Sequence, residues 1–345
     1  MIRVGIIGLG YWGPNLVRNF NDLADSEVVA LCDTDVNRLN QVIMRFPNIY
    51  TTEVADEILK KSMVDAVVIV TPTNTHYSLA ERALSAGIHT FVEKPLAISP
   101  KECEILIRLA EERKVILFVG HVFLYNAAVI KLKELIDDGT LGNICYISSQ
   151  RLNLGPVRRD VNVLWDLAPH DISIILNLID SAPVSVNCNG LAYLKKNVHD
   201  VCSLEIHFGN GSMAIVHTSW LDPNKVRRMT VIGDKKMAVY NDIDPFDKIK
   251  IFDKGIETDK YTDTFGEFQI SYRYGDTYSP HIKEVEPLKV ECEHFIESIK
   301  HSLHPKTDGY NGLQVVRILA AADISLQNGG GRVYLNATEN QTKKV

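Results

Sequence analysis

The chain has 345 residues, 46% hydrophobic and 23% charged, an ordinary globular balance long enough for two domains. Its 37 basic and 43 acidic residues leave a net charge of −6 without a long run of either sign, which argues against a nucleic-acid partner. No apolar stretch approaches the ~20 residues that span a bilayer, and six scattered cysteines suit buried thiols better than a disulfide framework or zinc site.

In chain order, residues 4–7 form a short apolar run, and a glycine-rich turn leads into a helix from 14 to 20. A second apolar run, 28–32, is closed by Asp33, and 36–46 reads as the next helix. Residues 64–70 are apolar throughout, as expected of a parallel strand buried on both faces. A helix over 75–86 stops at Gly87, and 88–92 is the next strand. Ser99-Pro100-Lys101-Glu102 opens another helix with cap, first-turn proline and acid in order, and 115–119 completes the series. This alternation predicts a doubly wound parallel sheet over 1–122.

Beyond it, 127–138 is one helix and 166–179 contains another, whose proline belongs in the first turn. Strand patterns follow at 184–193, 201–208, 212–220, 229–232, 237–240 and 248–252, with Asn210-Gly211 marking a hairpin. Two late helices, 288–299 and 313–327, precede a short strand at 332–335, and the polar tail 336–345 is expected to fray. The second domain, 123–345, is thus expected to be α+β with a large, mostly antiparallel open sheet. The opening residues show no signal-peptide layout, which gives the expectation of a cytoplasmic protein.

Gly8-Leu9-Gly10-Tyr11-Trp12-Gly13 directly follows the first strand and opens the first helix. Glycine there gives the turn its shape and lets a pyrophosphate approach the backbone, while the helix N-terminus supplies amide donors. Asp33, twenty residues beyond Gly13, can accept ribose hydroxyls and repel a 2′-phosphate. NAD is therefore the expected cofactor, with NADP possible because Arg38 lies close by in sequence.

Two further segments end strands at the edge where such sheets place ligands: Thr71-Pro72-Thr73-Asn74-Thr75-His76 and Glu93-Lys94-Pro95. Thr71, Pro72, Asn74, His76, Glu93 and Lys94 are the candidates for the nicotinamide end of the cofactor. In the second half, Asp166 and His170 are four apart and would share a helix face. A histidine near a helix N-terminus tends to stay neutral, as a general base for an alcohol proton requires. Lys94 could hold the hydroxyl oxygen. Taken singly, His170 also reads as a helix histidine, Lys94 as a surface lysine and Asp166 as a cap. The remaining histidines form no paired ligand spacing, and no catalytic metal is expected.

Together the Gly8–Gly13 turn, Glu93-Lys94-Pro95 and Asp166-Leu167-Ala168-Pro169-His170-Asp171 resemble the glucose–fructose oxidoreductase / inositol dehydrogenase (Gfo/Idh/MocA) family across essentially the whole chain. The resemblance implies a nicotinamide-dependent oxidoreductase of a sugar or cyclitol hydroxyl, with Lys94, Asp166 and His170 as its catalytic group. It also implies a homodimer or homotetramer built on the open sheet. Residues 10–20 and 160–166 resemble the branch of nucleotide-sugar dehydrogenases and 3-ketosugar reductases. The expectation is hydride transfer at C3 of a UDP-N-acetylhexosamine, with Arg151, Arg158, Arg159, Lys195 and Lys196 as candidates for the substrate diphosphate. The alternatives are a dehydrogenase of a free polyol and a regulatory protein that senses NAD without turnover.

Overall fold

The computed structural model describes residues 1–158, 161–196, 198–258 and 270–335. The first half builds a six-stranded parallel sheet from β1 (Ile2–Ile7), β2 (Ser26–Cys32), β3 (Tyr50–Thr52), β4 (Ala66–Ile69), β5 (His89–Glu93) and β6 (Leu117–Gly120). The strand order is β3-β2-β1-β4-β5-β6, so the order reverses between β1 and β4. That is the position at which a doubly wound sheet binds its ligand, at the carboxyl ends of the strands. The helices are α1 (Gly13–Asp22), α2 (Val36–Ile43), α3 (Ala55–Ile58), α4 (Thr73–Ser85) and α5 (Pro100–Arg113). Local signals behave as the residues dictate: the Ser99 hydroxyl accepts from the Glu102 amide, and Gly87 takes φ +74° just past α4. The three-residue β3 and one-turn α3 carry no periodic signal and were not expected.

The second half contains α6 (Ala127–Asp137), β7 (Ile144–Leu154), α7 (Val163–Leu178), β8 (Pro183–Leu191), β9 (Val201–Phe208), β10 (Met213–Ser219), β11 (Leu221–Gly233), β12 (Met237–Asn241), β13 (Ile249–Thr258) and β14 (Ile270–Tyr278). With β15 (Val333–Tyr334) they form a nine-stranded sheet, β14-β13-β12-β11-β7-β10-β9-β8-β15. The β7–β10 pair is parallel and the other described pairs are antiparallel. The Asn210-Gly211 turn joins β9 to β10 with Gly211 at φ +87°. Alternate residues of β9 (Cys202, Leu204, Ile206, Phe208) are buried, and α7 packs on β7, β9 and β10. The central strand β7 lies outside the sequence expectation, as does β14. Helix α7 also begins at Val163 rather than near Asp166, with Asn162 as its cap, so Pro169 sits inside it and not in its first turn.

After β14 the chain makes α8 (Pro287–His301) and α9 (Gly309–Gln327). The division into compact units therefore differs from a single boundary at 122. One unit is Met1–Asn126 with Val285–Ala320, and the other is Ala127–Glu284 with Ala321–Val345. The physical reason is the apolar face of α8. Its Phe295 ring packs edge-on against Phe20 of α1 (6.1 Å), Phe91 of β5 (5.6 Å) and Phe118 of β6 (5.3 Å). Glu286, at the α8 cap, accepts from Arg18 and Asn19 of α1. Among the described residues no helix is long and apolar enough to cross a membrane.

Candidate active site

The glycine turn is shaped by contact as much as by conformation. A Cβ on Gly8 (φ +100°) would fall 2.5 Å from the Val70 carbonyl oxygen, and one on Gly13 would fall 2.3 Å from that of Gly8. These two glycines let β1, β4 and α1 close on one another. Gly10, by contrast, faces open space, its nearest neighbour being Arg38 Nη1 at 3.9 Å. Asp33 ends β2 beside this turn and is buried. Its carboxylate accepts from the amides of Leu9 (2.6 Å) and Asp35 (2.8 Å), and Arg38 stands 3.6 Å away. Bare backbone at Gly10, a helix N-terminus behind it and a fixed carboxylate at the next strand fit the pyrophosphate and ribose of a dinucleotide.

Along the same sheet edge, Thr71 follows β4, Pro72 caps α4, and both Pro72 and Asn74 are exposed. Thr75 donates its hydroxyl to Thr71 (2.6 Å) or to the Pro72 carbonyl (2.7 Å), bracing the loop. His76 needs correction as a cofactor contact. It is 1% exposed, with ring nitrogens 2.8 Å from the carbonyl oxygens of Pro95 and Thr71. Its ring is spent on joining the two loops, because it sits on the inward face of α4.

Glu93 likewise turns inward. It pairs with Gly120 across β5–β6, and a Cβ on Gly120 would lie 3.0 Å from the Glu93 carboxyl carbon. The carboxylate accepts from the Lys94 amide at 3.2 Å and from the Trp12 indole. Burial pushes it up to about 7, against the opposing pull of Lys94. Trp12 thus links the glycine turn to the Lys94 loop, whereas Tyr11 points into solvent at 95% exposure. The Lys94–Pro95 peptide is cis.

In the second unit the head of α7 carries Asp166 in the first turn and His170 one turn later, both half-buried. His170 is the eighth residue of the helix, so the N-terminal dipole argument for a neutral imidazole does not reach it. The Asp166 carboxylate is held on both oxygens: the Trp220 indole donates to one at 3.0 Å and Arg158 to the other at 3.3 Å. Trp220 had no signal in the sequence. It is 1% exposed, and its amide donates to the Asp200 carbonyl at 3.0 Å. Helix α7 is pinned at its start, where Asn162 and Trp165 donate to Asp323 of α9 at 3.1 and 2.5 Å. It is pinned again where Asp171 meets Arg151 of β7 at 2.5 Å and accepts from Ser149 at 2.7 Å.

That ion pair corrects the expected role of Arg151, which is buried and committed to Asp171 and so does not reach a substrate diphosphate. Lys195 and Lys196 are exposed, Arg158 is half-buried beside Asp166, and Arg159 lies outside the described residues.

Residues 2–121 match an oxidoreductase family described as an NAD-binding Rossmann fold, and residues 129–239 match the GFO/IDH/MocA C-terminal domain. Over 243 residues the chain is 30% identical to UDP-N-acetylglucosamine 3-dehydrogenase of Acidithiobacillus ferrooxidans, covering 69% of this chain and 73% of that one. The chain belongs to the Gfo/Idh/MocA family. Over 344 residues this Gfo/Idh/MocA chain is also 25% identical to myo-inositol 2-dehydrogenase of Thermotoga maritima, covering 94% of this chain and 96% of that one. Among solved structures, UDP-N-acetylglucosamine 3-dehydrogenase GnnA from A. ferrooxidans superposes with a TM-score of 0.80 at 24% identity, over 96% of this chain and 99% of that one. GenD2 from gentamicin A biosynthesis, solved with NAD, gives 0.82 at 21% identity over 97% of each chain. These structural likenesses establish that the Gfo/Idh/MocA fold runs through both units.

Proposed function

We propose that the chain interconverts a secondary hydroxyl and a ketone on a sugar, at C3 of a UDP-N-acetylhexosamine. NAD, when bound, supplies the hydride acceptor or donor. Gly8, Gly10, Gly13 and Asp33 hold its pyrophosphate and ribose, and Thr71, Pro72, Asn74 and the Lys94 loop hold its nicotinamide end. His170 takes the hydroxyl proton, Lys94 steadies the oxygen as negative charge develops, and Asp166 orients base or substrate. The observation that carries this reading is the head of α7, where Asp166 and His170 stand one turn apart with the carboxylate fixed by Trp220 and Arg158. Such restraint on an acid beside a histidine suits proton transfer better than passive NAD sensing.

The nucleotide-sugar substrate is supported by the 30% identity to a UDP-N-acetylglucosamine 3-dehydrogenase. A free polyol is the second reading, favoured by the end-to-end match to an inositol dehydrogenase. The deciding assay follows reduced-nicotinamide absorbance with NAD and NADP, each against UDP-N-acetylglucosamine, its uronic acid, free sugars and inositols. Turnover confined to UDP-sugars bears the first reading out, and turnover with a free inositol replaces it with the second. His170→Ala and Lys94→Ala are each expected to lose on the order of 10²–10⁴ in rate, and near-normal turnover in both would remove the assignment.

A further inference from the structure

Behind the Lys94 loop the first unit buries three titratable side chains that the proposed chemistry does not use. Glu93 shares a face of β5 with Phe91, two residues earlier. Phe91 stacks on Phe118 of β6 at 5.0 Å, and both rings meet Phe295 of α8. Glu291 precedes Phe295 by one turn of α8 and so shares its inward face. Burial, and after it the charge of Glu93 within electrostatic reach, holds its carboxyl well above the usual carboxylate range. His121 follows β6 directly. Each of the three is at least nine-tenths buried. Glu93 Oε1, both Glu291 carboxylate oxygens and both His121 ring nitrogens have no hydrogen-bond partner among the described residues.

Ionising two carboxylates buried within electrostatic reach of each other is costly, and like charges so placed tend not to ionise together. Among the described residues that face the pair, one charge is left to answer it. Burial keeps the Tyr125 phenol and the Cys292 thiol protonated, and burial followed by Lys94 pushes His121 down to about 3, so it stays neutral. Lys94 is the cation on that side.

We propose that Glu93 and Glu291 hold one proton between them, so that the pair presents a single negative charge behind Lys94 and acts as its positioning group. Resting on the reading of Lys94 as a catalytic residue, the proposal gives the buried glutamate of α8 a task. Glu93 carries the charge, bonded to the Lys94 amide, while Glu291 stores the proton that keeps the charge from doubling.

Two measurements on the whole protein, neither needing turnover, test it. Above neutrality, where an ordinary glutamate is ionised, the infrared spectrum of the wild type should show a buried carboxylic-acid C=O band that Glu291→Gln removes. The Lys94 ammonium, followed by NMR with labelled lysine, should titrate at the wild-type position in Glu291→Gln, because one charge remains. In Glu93→Gln it should move down by about one pH unit or more, because the pair is then neutral. Absence of the band in the wild type overturns the proposal. So does a Lys94 titration that moves as far in Glu291→Gln as in Glu93→Gln, which is the result for two ionised carboxylates. A protein that passes both measurements but turns over no substrate would fail the functional reading and keep the proton pair.

Discussion

Asp166 shows how much of a site depends on one neighbour. Its oxygens accept from Trp220 at 3.0 Å and Arg158 at 3.3 Å, so the sequence spacing to His170 becomes a fixed orientation. Trp220→Phe keeps the buried ring and deletes the N–H. Steady-state kinetics should show kcat down by roughly ten- to a hundredfold, matching the ~1.5–3 kcal/mol of a hydrogen bond to a charged group, with circular dichroism unchanged. Asp33 is the counterpart in the first unit. Asp33→Ala frees the Leu9 and Asp35 amides and leaves Arg38 with only the Asp35 carboxylate at 3.6 Å. NAD titration should then show binding roughly tenfold weaker, with the preference moving toward NADP. The glycines and Asp33 are legible in the sequence because the turn, the strand end and the helix start are all local. Trp220 and the inward turn of His76 are not: the Trp220 partner, Asp166, stands 54 residues back, and the His76 ring is fixed only when the loops after β4 and β5 are brought together.

At the scale of elements, β7 and α7 depend on each other. The inward positions of β7 include Ile147, Ser149 and Arg151, and the last two bond Asp171 of α7. A strand whose buried face is partly polar shows no apolar period of two, which is why β7 escapes a reading by hydrophobic pattern although it is central. Arg151→Ala would leave Asp171 buried and unpaired, and the expected loss is about 3–5 kcal/mol in denaturant unfolding. Replacing the pair together by apolar residues should cost less than either single change. Pro169 belongs to the same helix. Inside a helix a proline removes a backbone bond, so Pro169→Ala should raise the melting temperature. It should also lower kcat by re-aiming His170, the next residue. An unchanged kcat would show that the proline does not aim His170.

For the whole molecule, buried charge makes stability depend on pH. The Glu93 carboxyl is raised from 4.5 to about 7 in the folded protein, so between those values the folded state holds more protons than the unfolded chain. Stability in that window should fall as pH rises, with a slope of up to about 1.4 kcal/mol per pH unit for one such group. Glu291 keeps its proton through the same window and adds a slope of the same sign, so Glu93→Gln should lessen the slope without abolishing it in denaturant unfolding followed across that window. The expected homodimer or homotetramer would be read by sedimentation of the full chain. By itself the sequence determined what local physics can write: the βαβ alternation, the phosphate turn with Asp33, the capped helices, the Asn210-Gly211 hairpin, and the lysine and acid–histidine segments that mark the family. Only the tertiary structure decided that α8 returns to the first unit, that Arg151 is spent on Asp171, that Trp220 holds Asp166, and that Glu291 comes within electrostatic reach of Glu93. Each joins residues that no single local pattern contains: water exclusion drives the apolar packing of α8, and the buried polar groups then need partners that only the fold can bring to them.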